Sequence, residues 1–492
     1  MKKFTRFFAI AVSLLFVAFN LSAQTAELPK SLEIPSAIGD NMVLQQNSTV
    51  NIWGYAKPKA KVSVACDWIA GKPVSVKADA EGVWIVPVAV PAASFDPHTV
   101  TIKCGKEVVT LSNILFGEVW LCSGQSNMEM PMKGFGRQPV EQSLEYIMES
   151  GKFKNKIRMF TVTRNRSFEK DEWDCKGGEW QCATPKATAD MSATTYFFAR
   201  NIIDNVDFPI GIITSNWGGT RIESWMPKQA LIEVLAEDGY EAAQKKHSIK
   251  PTELYCAMLA PIRQFNAKGF LWYQGCSNLG DVTTYDKLQA RMVKQWREDW
   301  GDKENAMPFY YVMIAPYIYK GSDEIAYPLF VENQVRALSK IPNCGMAATT
   351  DIGEERCIHP AQKFEVGQRL AALALAQTYG QQGFEHKAPQ MAAYEIKDGK
   401  VTVYFTNASM GLYPWYDQPV VGFEIAGADK KFYPAEARTV ANDRVSVWSS
   451  QVKEPVAIRY AFRNYMKQTP NLKNMYNIPA VPFRTDDWND VR

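Results

Sequence analysis

Ser126 lies in "GEVWLCSGQSNMEMPM", residues 117–132, where an apolar run gives way to Gly124, Gln125, Ser126 and Asn127. A serine hydroxyl in such a place becomes a nucleophile when a base takes its proton and N–H donors receive the oxyanion formed at an attacked carbonyl. The chain holds four histidines, and position narrows them to one. His98 falls in an N-terminal β-rich stretch, His247 at the end of a basic helical stretch, and His386 beyond the last helical segment of the middle region. His359 alone follows an apolar run of that region, through "CGMAATTDIGEERCIHP". Pro360 is expected to open the next helix, since proline suits a first helical position. Two further run ends carry Gly218 and Gly219, in "SNWGGTRIESW", and Gln274 to Asn278, in "WYQGCSN". Any one of these is an ordinary turn on its own. Four of them meeting at one sheet edge form the layout of a serine hydrolase.

The elements that must position them follow from periodicity. Between residues 114 and 390, "EVWLCS", "PIGIITSN", "GFLWYQG", "FYYVMIAP" and "CGMAATTD" read as buried strands. They alternate with helix-period segments such as "SATTYFFARNIIDNV", "TTYDKLQARMVKQWREDW" and "FVENQVRALSKI". This predicts an α/β fold with a doubly wound parallel sheet in a three-layer α/β/α arrangement, whose ligands bind beyond the C-terminal strand ends. Residues 24–113 show short alternating strands broken by Gly, Pro and Asn, as in a β-sandwich. Residues 391–492 are again strand-like and are expected to form or complete a β module.

Composition bounds the rest. A chain of 492 residues predicts two or three domains, and 46% hydrophobic with 22% charged residues supports full cores. A net charge of +3 favours neither a nucleic-acid nor a membrane partner. The 14 tryptophans and 21 tyrosines suit a sugar-binding cleft, although most belong to the core. Lys2, Lys3 and Arg6 before "FFAIAVSLLFVAFNL" read as a secretory leader over residues 1–23, cleaved after Ala23, which implies a periplasmic or secreted protein. Nine cysteines leave at least one unpaired, with Cys66–Cys104 and Cys175–Cys182 as candidate disulfides. No spacing suggests a metal site, and no cofactor is expected. Arg221 reads either as an ion-paired arginine or as the receiver of a substrate carboxylate.

The motifs "NMVLQQ", "IWGYAKP", "WLCSGQSNMEMPM", "SNWGGTRIESWM", "WYQGCSN", "DIGEERCIHPAQKFEVGQRLA" and "RYAFRNYMKQTPNLKNMYNIPAVPFRTDDW" occur in order along the chain. In them the chain resembles the sialate O-acetylesterases, which are SGNH hydrolases. The resemblance implies an esterase acting on O-acetylated sialic acid, or on a related acetylated glycan such as xylan; a non-catalytic glycan-binding relative is the remaining alternative. It implies Ser126 as nucleophile and His359 as base. It also implies an oxyanion hole from the Ser126 N–H, an N–H of Gly218 or Gly219, and a side chain, Gln274 before Asn278. Gln125 and Asn127 are expected to hold the turn. The chain departs from the family pattern at Cys276 and Cys357, where acids are usual. The third member of the triad is then Glu354, Glu355 or Asp351, or else a backbone carbonyl completing a dyad. The paired departure predicts a Cys276–Cys357 disulfide, while a Cys276 nucleophile is disfavoured by the intact serine block.

Overall fold

The computed structural model describes residues 31–319, 324–415 and 417–488. The expected leader lies outside them. Among the described residues no helix is long and apolar enough to cross a membrane.

The core is a sheet whose order runs Cys344–Ala347, Phe309–Val312, Gly269–Tyr273, Glu107–Gly124, Ile210–Asn216, Ile157–Thr161 and Trp180–Cys182. Every neighbouring pair is parallel except the last, where Trp180–Cys182 closes the edge antiparallel. Helices Ala193–Ile203 and Lys363–Leu373 pack on one face, in a cluster with Trp120, Tyr273 and Tyr310. Helices Lys228–Lys246, Tyr285–Asp299 and Ala326–Lys340 cover the other, around Trp272, Trp296 and Tyr311. The three-layer α/β/α arrangement is therefore as expected. Strands Ile210–Asn216 and Gly269–Tyr273 are buried throughout, which is why they read as unbroken apolar runs.

Strand Glu107–Gly124 is the exception in length, at 18 residues. Its first half pairs antiparallel with Ser94–Cys104 of the N-terminal β module. Val43–Gln45 then runs parallel to Leu115–Gly117, and the second half becomes the central strand of the parallel sheet. The boundary expected at 113/114 thus falls inside one continuous strand. Buried Gln45 reinforces the join, accepting from the Val119 N–H and donating to Glu118.

Register sets the depth of the site. Gly124 lies opposite both Asn216 and Tyr273, so three strands end at one level. The next residues of each, Gln125–Ser126, Trp217–Gly218 and Gln274–Gly275, emerge side by side at the C-terminal edge, as the α/β rule requires.

The C-terminal module has its own core, between the sheet of Gln390–Lys397, Lys400–Thr406, Arg444–Trp448 and Glu436–Ala441 and that of Phe432–Pro434, Phe423–Ala426, Ala457–Tyr460 and Phe483–Arg484. It grips the start of the histidine loop. The Thr350 hydroxyl donates to the Ala480 carbonyl, and Asp351 pairs with Lys473.

All nine cysteines are free thiols, so none of the expected disulfides is formed. Strand register explains the first: Cys66 faces Val100 while Cys104 faces Val62, which puts the two thiols at opposite ends of their ladder. Cys182 lies opposite Arg158 and meets its guanidinium and Asn41 rather than buried Cys175. Cys276 contacts the Tyr319 hydroxyl at 3.6 Å, and Cys357 donates to the His359 carbonyl at 3.2 Å.

Candidate active site

His359 Nε2 lies 2.7 Å from Ser126 Oγ, and its Nδ1 lies 2.7 Å from Gln138 Oε1. An amide oxygen can only accept, so Nδ1 carries the proton and Nε2 presents its lone pair to the serine hydroxyl. That is the tautomer a general base needs. Gln138 belongs to "GFGRQ", a tight loop in which Phe135 and Gln138 exchange backbone hydrogen bonds. The same loop sets the Phe135 ring edge-on to the imidazole, with centroids 5.3 Å apart. Sequence reasoning missed Gln138. Its only signal was a glycine-flanked turn shortly after the nucleophile block.

The three acids expected to serve His359 do other work. Asp351 chelates Arg369 and pairs with Lys473, fastening the loop to its surroundings. Glu354 accepts from the Ala361 N–H at 2.8 Å. Glu355 does not bond the ring, whose two nitrogens are taken by Ser126 and Gln138. The helix also starts later than expected, at Lys363 rather than Pro360. Glu354 holds Ala361, and Lys363 Nζ holds the Pro360 carbonyl at 2.8 Å, so residues 360–362 remain a loop. His359 is thus fixed by contacts across loops, not by a helix.

Gln125 and Asn127 tie those loops together. Gln125 Oε1 accepts from the Gly275 N–H at 3.0 Å, and Asn127 Nδ2 donates to the Ile358 carbonyl at 3.0 Å. Gln274 and Asn278 are buried in a closed network instead of facing Ser126. Gln274 Nε2 donates to Thr220 O and Asn278 Oδ1, while its Oε1 accepts from Tyr285. Asn278 Nδ2 donates to Glu223 and Asp281. Arg221 closes the network on the same two acids and on the Ser277 carbonyl. No donor of either amide is left for an oxyanion, and Arg221 is not free for a substrate. Asn278→Ala is accordingly expected to cost about 2–4 kcal/mol in urea unfolding, by stripping donors from a buried carboxylate. It should lower kcat less than ten-fold, against the roughly 10²–10³-fold loss that marks an oxyanion donor.

Backbone donors remain. Gly218 packs so close that a Cβ there would sit 3.1 Å from Ser126 Cβ, and Gly219 needs its φ of +75°. The Gly218 N–H points at the Glu129 carboxylate, 2.7 Å away, which also pairs with Arg164. The N–H groups of Ser126 and Gly219 have no acceptor among the described residues.

Residues 117–376 match the family model of the sialic acid-specific acetylesterases, a group of carbohydrate esterases. The chain belongs to this family. It is 29% identical to the human sialate O-acetylesterase and 26% to the mouse one, over 91% of this chain and 91% and 93% of theirs. The crystal structure of a carbohydrate acetylesterase from Xanthomonas citri superposes with a TM-score of 0.82 at 34% identity, covering 93% of this chain and all of that one. The SGNH-type fold and carboxylic ester hydrolysis, with removal of O-acetyl groups, follow.

Within this acetylesterase Cys276 and Cys357 lie near a buried cation. Lys363 Nζ is fully enclosed, donating to Asn127 Oδ1 at 2.7 Å and to Pro360 O, with the Tyr273 ring 5.9 Å away. Burial pushes its pKa down to about 7, with Cys357, Glu354 and Cys276 the acidic groups near it. Burial, and then the Lys363 charge, push His359 down to about 4. Burial raises Cys276 to about 11, so its thiol stays protonated and is unfit as a nucleophile. Lys363 is charged over the range in which His359 titrates, so Lys363→Met is expected to raise the histidine pKa. The acid limb of kcat/KM should move up by roughly one unit, and an unmoved limb in a folded variant would refute the assignment. Among the described residues no His, Cys, Asp and Glu cluster could hold a metal ion.

Proposed function

We propose that this esterase removes O-acetyl groups from sialic acids outside the cytoplasm, through an acetyl-serine formed on Ser126. The observation that carries the chemistry is the 2.7 Å contact of Ser126 Oγ with an imidazole whose far nitrogen is held by Gln138. Ser126 Oγ attacks the acetyl carbonyl carbon while Nε2 takes the hydroxyl proton. The carbonyl oxygen, now an oxyanion, takes the Ser126 N–H and replaces Glu129 as acceptor from Gly218, with Gly219 adjacent. The tetrahedral intermediate collapses as the imidazolium returns the proton to the departing sugar oxygen. Water, deprotonated by the same nitrogen, then releases acetate and restores Ser126.

The names of the mammalian relatives support the sugar, and Lys2, Lys3 and Arg6 ahead of the apolar run support export. The broader title of the Xanthomonas citri enzyme favours a second reading, another acetylated glycan. Acetate release from O-acetylated sialic acid, measured beside acetylated xylan, decides. Preference for the sialic acid in kcat/KM is expected; turnover of xylan alone overturns the reading.

A further inference from the structure

With Arg221 occupied by Glu223 and Asp281, an acidic sugar needs another cation at the site. Two are at hand. Trp217 immediately precedes Gly218, and its N–H is pinned to the Gly124 carbonyl at 3.1 Å, so its backbone is fixed to the nucleophile strand. The guanidinium groups of Arg164 and Arg166 lie over its ring, 5.2 and 5.0 Å from the centroid. Arg164 is neutralised by Glu129. Arg166 is exposed, donates through Nη1 to the Ser248 carbonyl at 3.3 Å, and has no acidic partner among the described residues. We infer that Arg166, stacked on Trp217 beside Gly218, is a specificity residue that receives the carboxylate of the acetylated sugar acid. This rests on the sialic acid reading above.

The chemistry fits the position. A guanidinium presents a planar fork that matches a carboxylate in two parallel hydrogen bonds, and stacking on an indole limits the orientations it must give up on binding. Glu129 cancels the charge of Arg164 locally, whereas no carboxylate among the described residues pairs with Arg166. A neutral acetylated sugar gains nothing from it. Discrimination would therefore reside in the charge of the sugar, apart from the serine chemistry.

The test compares O-acetyl-N-acetylneuraminic acid, its carboxyl methyl ester and para-nitrophenyl acetate as substrates of the full chain and of Arg166→Met. Methionine retains most of the aliphatic stem and removes the charge. For the free acid, KM is expected to rise roughly ten-fold with kcat within about two-fold, since one charge-assisted pair is lost. The methyl ester and the aryl ester should be unaffected, and the free acid's sensitivity to added salt should disappear. Unchanged KM for the acid overturns the inference, as does an equal loss on all three substrates. Wild-type enzyme that turns over acid and methyl ester equally well overturns the carboxylate contact alone. Wild-type enzyme that turns over neither, while cleaving the aryl ester, overturns the substrate reading and this inference with it.

Discussion

Ser126→Ala is expected to lower ester turnover by several orders of magnitude, on the order of 10⁶-fold where nucleophile and base act as a unit. His359→Ala should behave alike, and the double variant should be little worse than either. Ser126→Ala removes a single hydroxyl, so the thermal melting of that variant should be nearly unchanged. The measurement is steady-state hydrolysis of an acetylated sugar alongside a melting curve. Retention of more than about one hundredth of wild-type kcat in a folded Ser126 variant would end the serine mechanism.

Gln138 carries the second large effect. Its Oε1 holds the proton on Nδ1, so Gln138→Ala releases the ring to the other tautomer and to rotation about its stem. A fall in kcat of roughly 10²-fold is expected, the lower end of what a positioned general base contributes. Gln138→Glu makes the sharper test. A carboxylate against Nδ1 favours the imidazolium, so the histidine pKa must climb from about 4. Protonated His359 cannot take the serine proton, and the acid limb of kcat/KM therefore moves to higher pH while activity at neutral pH persists. A neutral acceptor thus lets the esterase work in more acidic surroundings than a carboxylate would. An alanine variant indistinguishable from wild type would assign the orientation to Phe135 and Asn127 instead.

Much of this was legible in the chain. Strands such as Ile210–Asn216 and Gly269–Tyr273 are buried on both faces, so their apolar runs were unmistakable. Their polar ends marked the catalytic edge, and scarcity of histidine isolated His359. What stayed hidden was decided by loop geometry. Gln138 is one glutamine among many until the Gly134–Gln138 turn brings it to Nδ1. Gln274 and Asn278 have the right donors but face inward, because Thr220, Glu223 and Asp281 meet them first. Asp351 was plausible by proximity along the chain, yet Arg369 and Lys473 claim its charge. Cys276 and Cys357 were paired only by the resemblance; Cys276 meets the Tyr319 hydroxyl and Cys357 the His359 carbonyl, and both thiols stay free.

The strand Glu107–Gly124 has a consequence for anyone trimming the protein. A piece cut at residue 114 would retain Ser126, Gln138 and His359 and still be a poor catalyst. Its central strand would begin without Val43–Gln45 beside Leu115–Gly117, leaving unpaired amides along an apolar edge. Such an edge recruits other chains rather than water. The buried Glu118 would also lose Gln45 and Gln46, its two side-chain amide donors. The smallest portable form of this hydrolase therefore includes its N-terminal module, and a graft onto another scaffold must carry the whole rod on which the nucleophile is mounted.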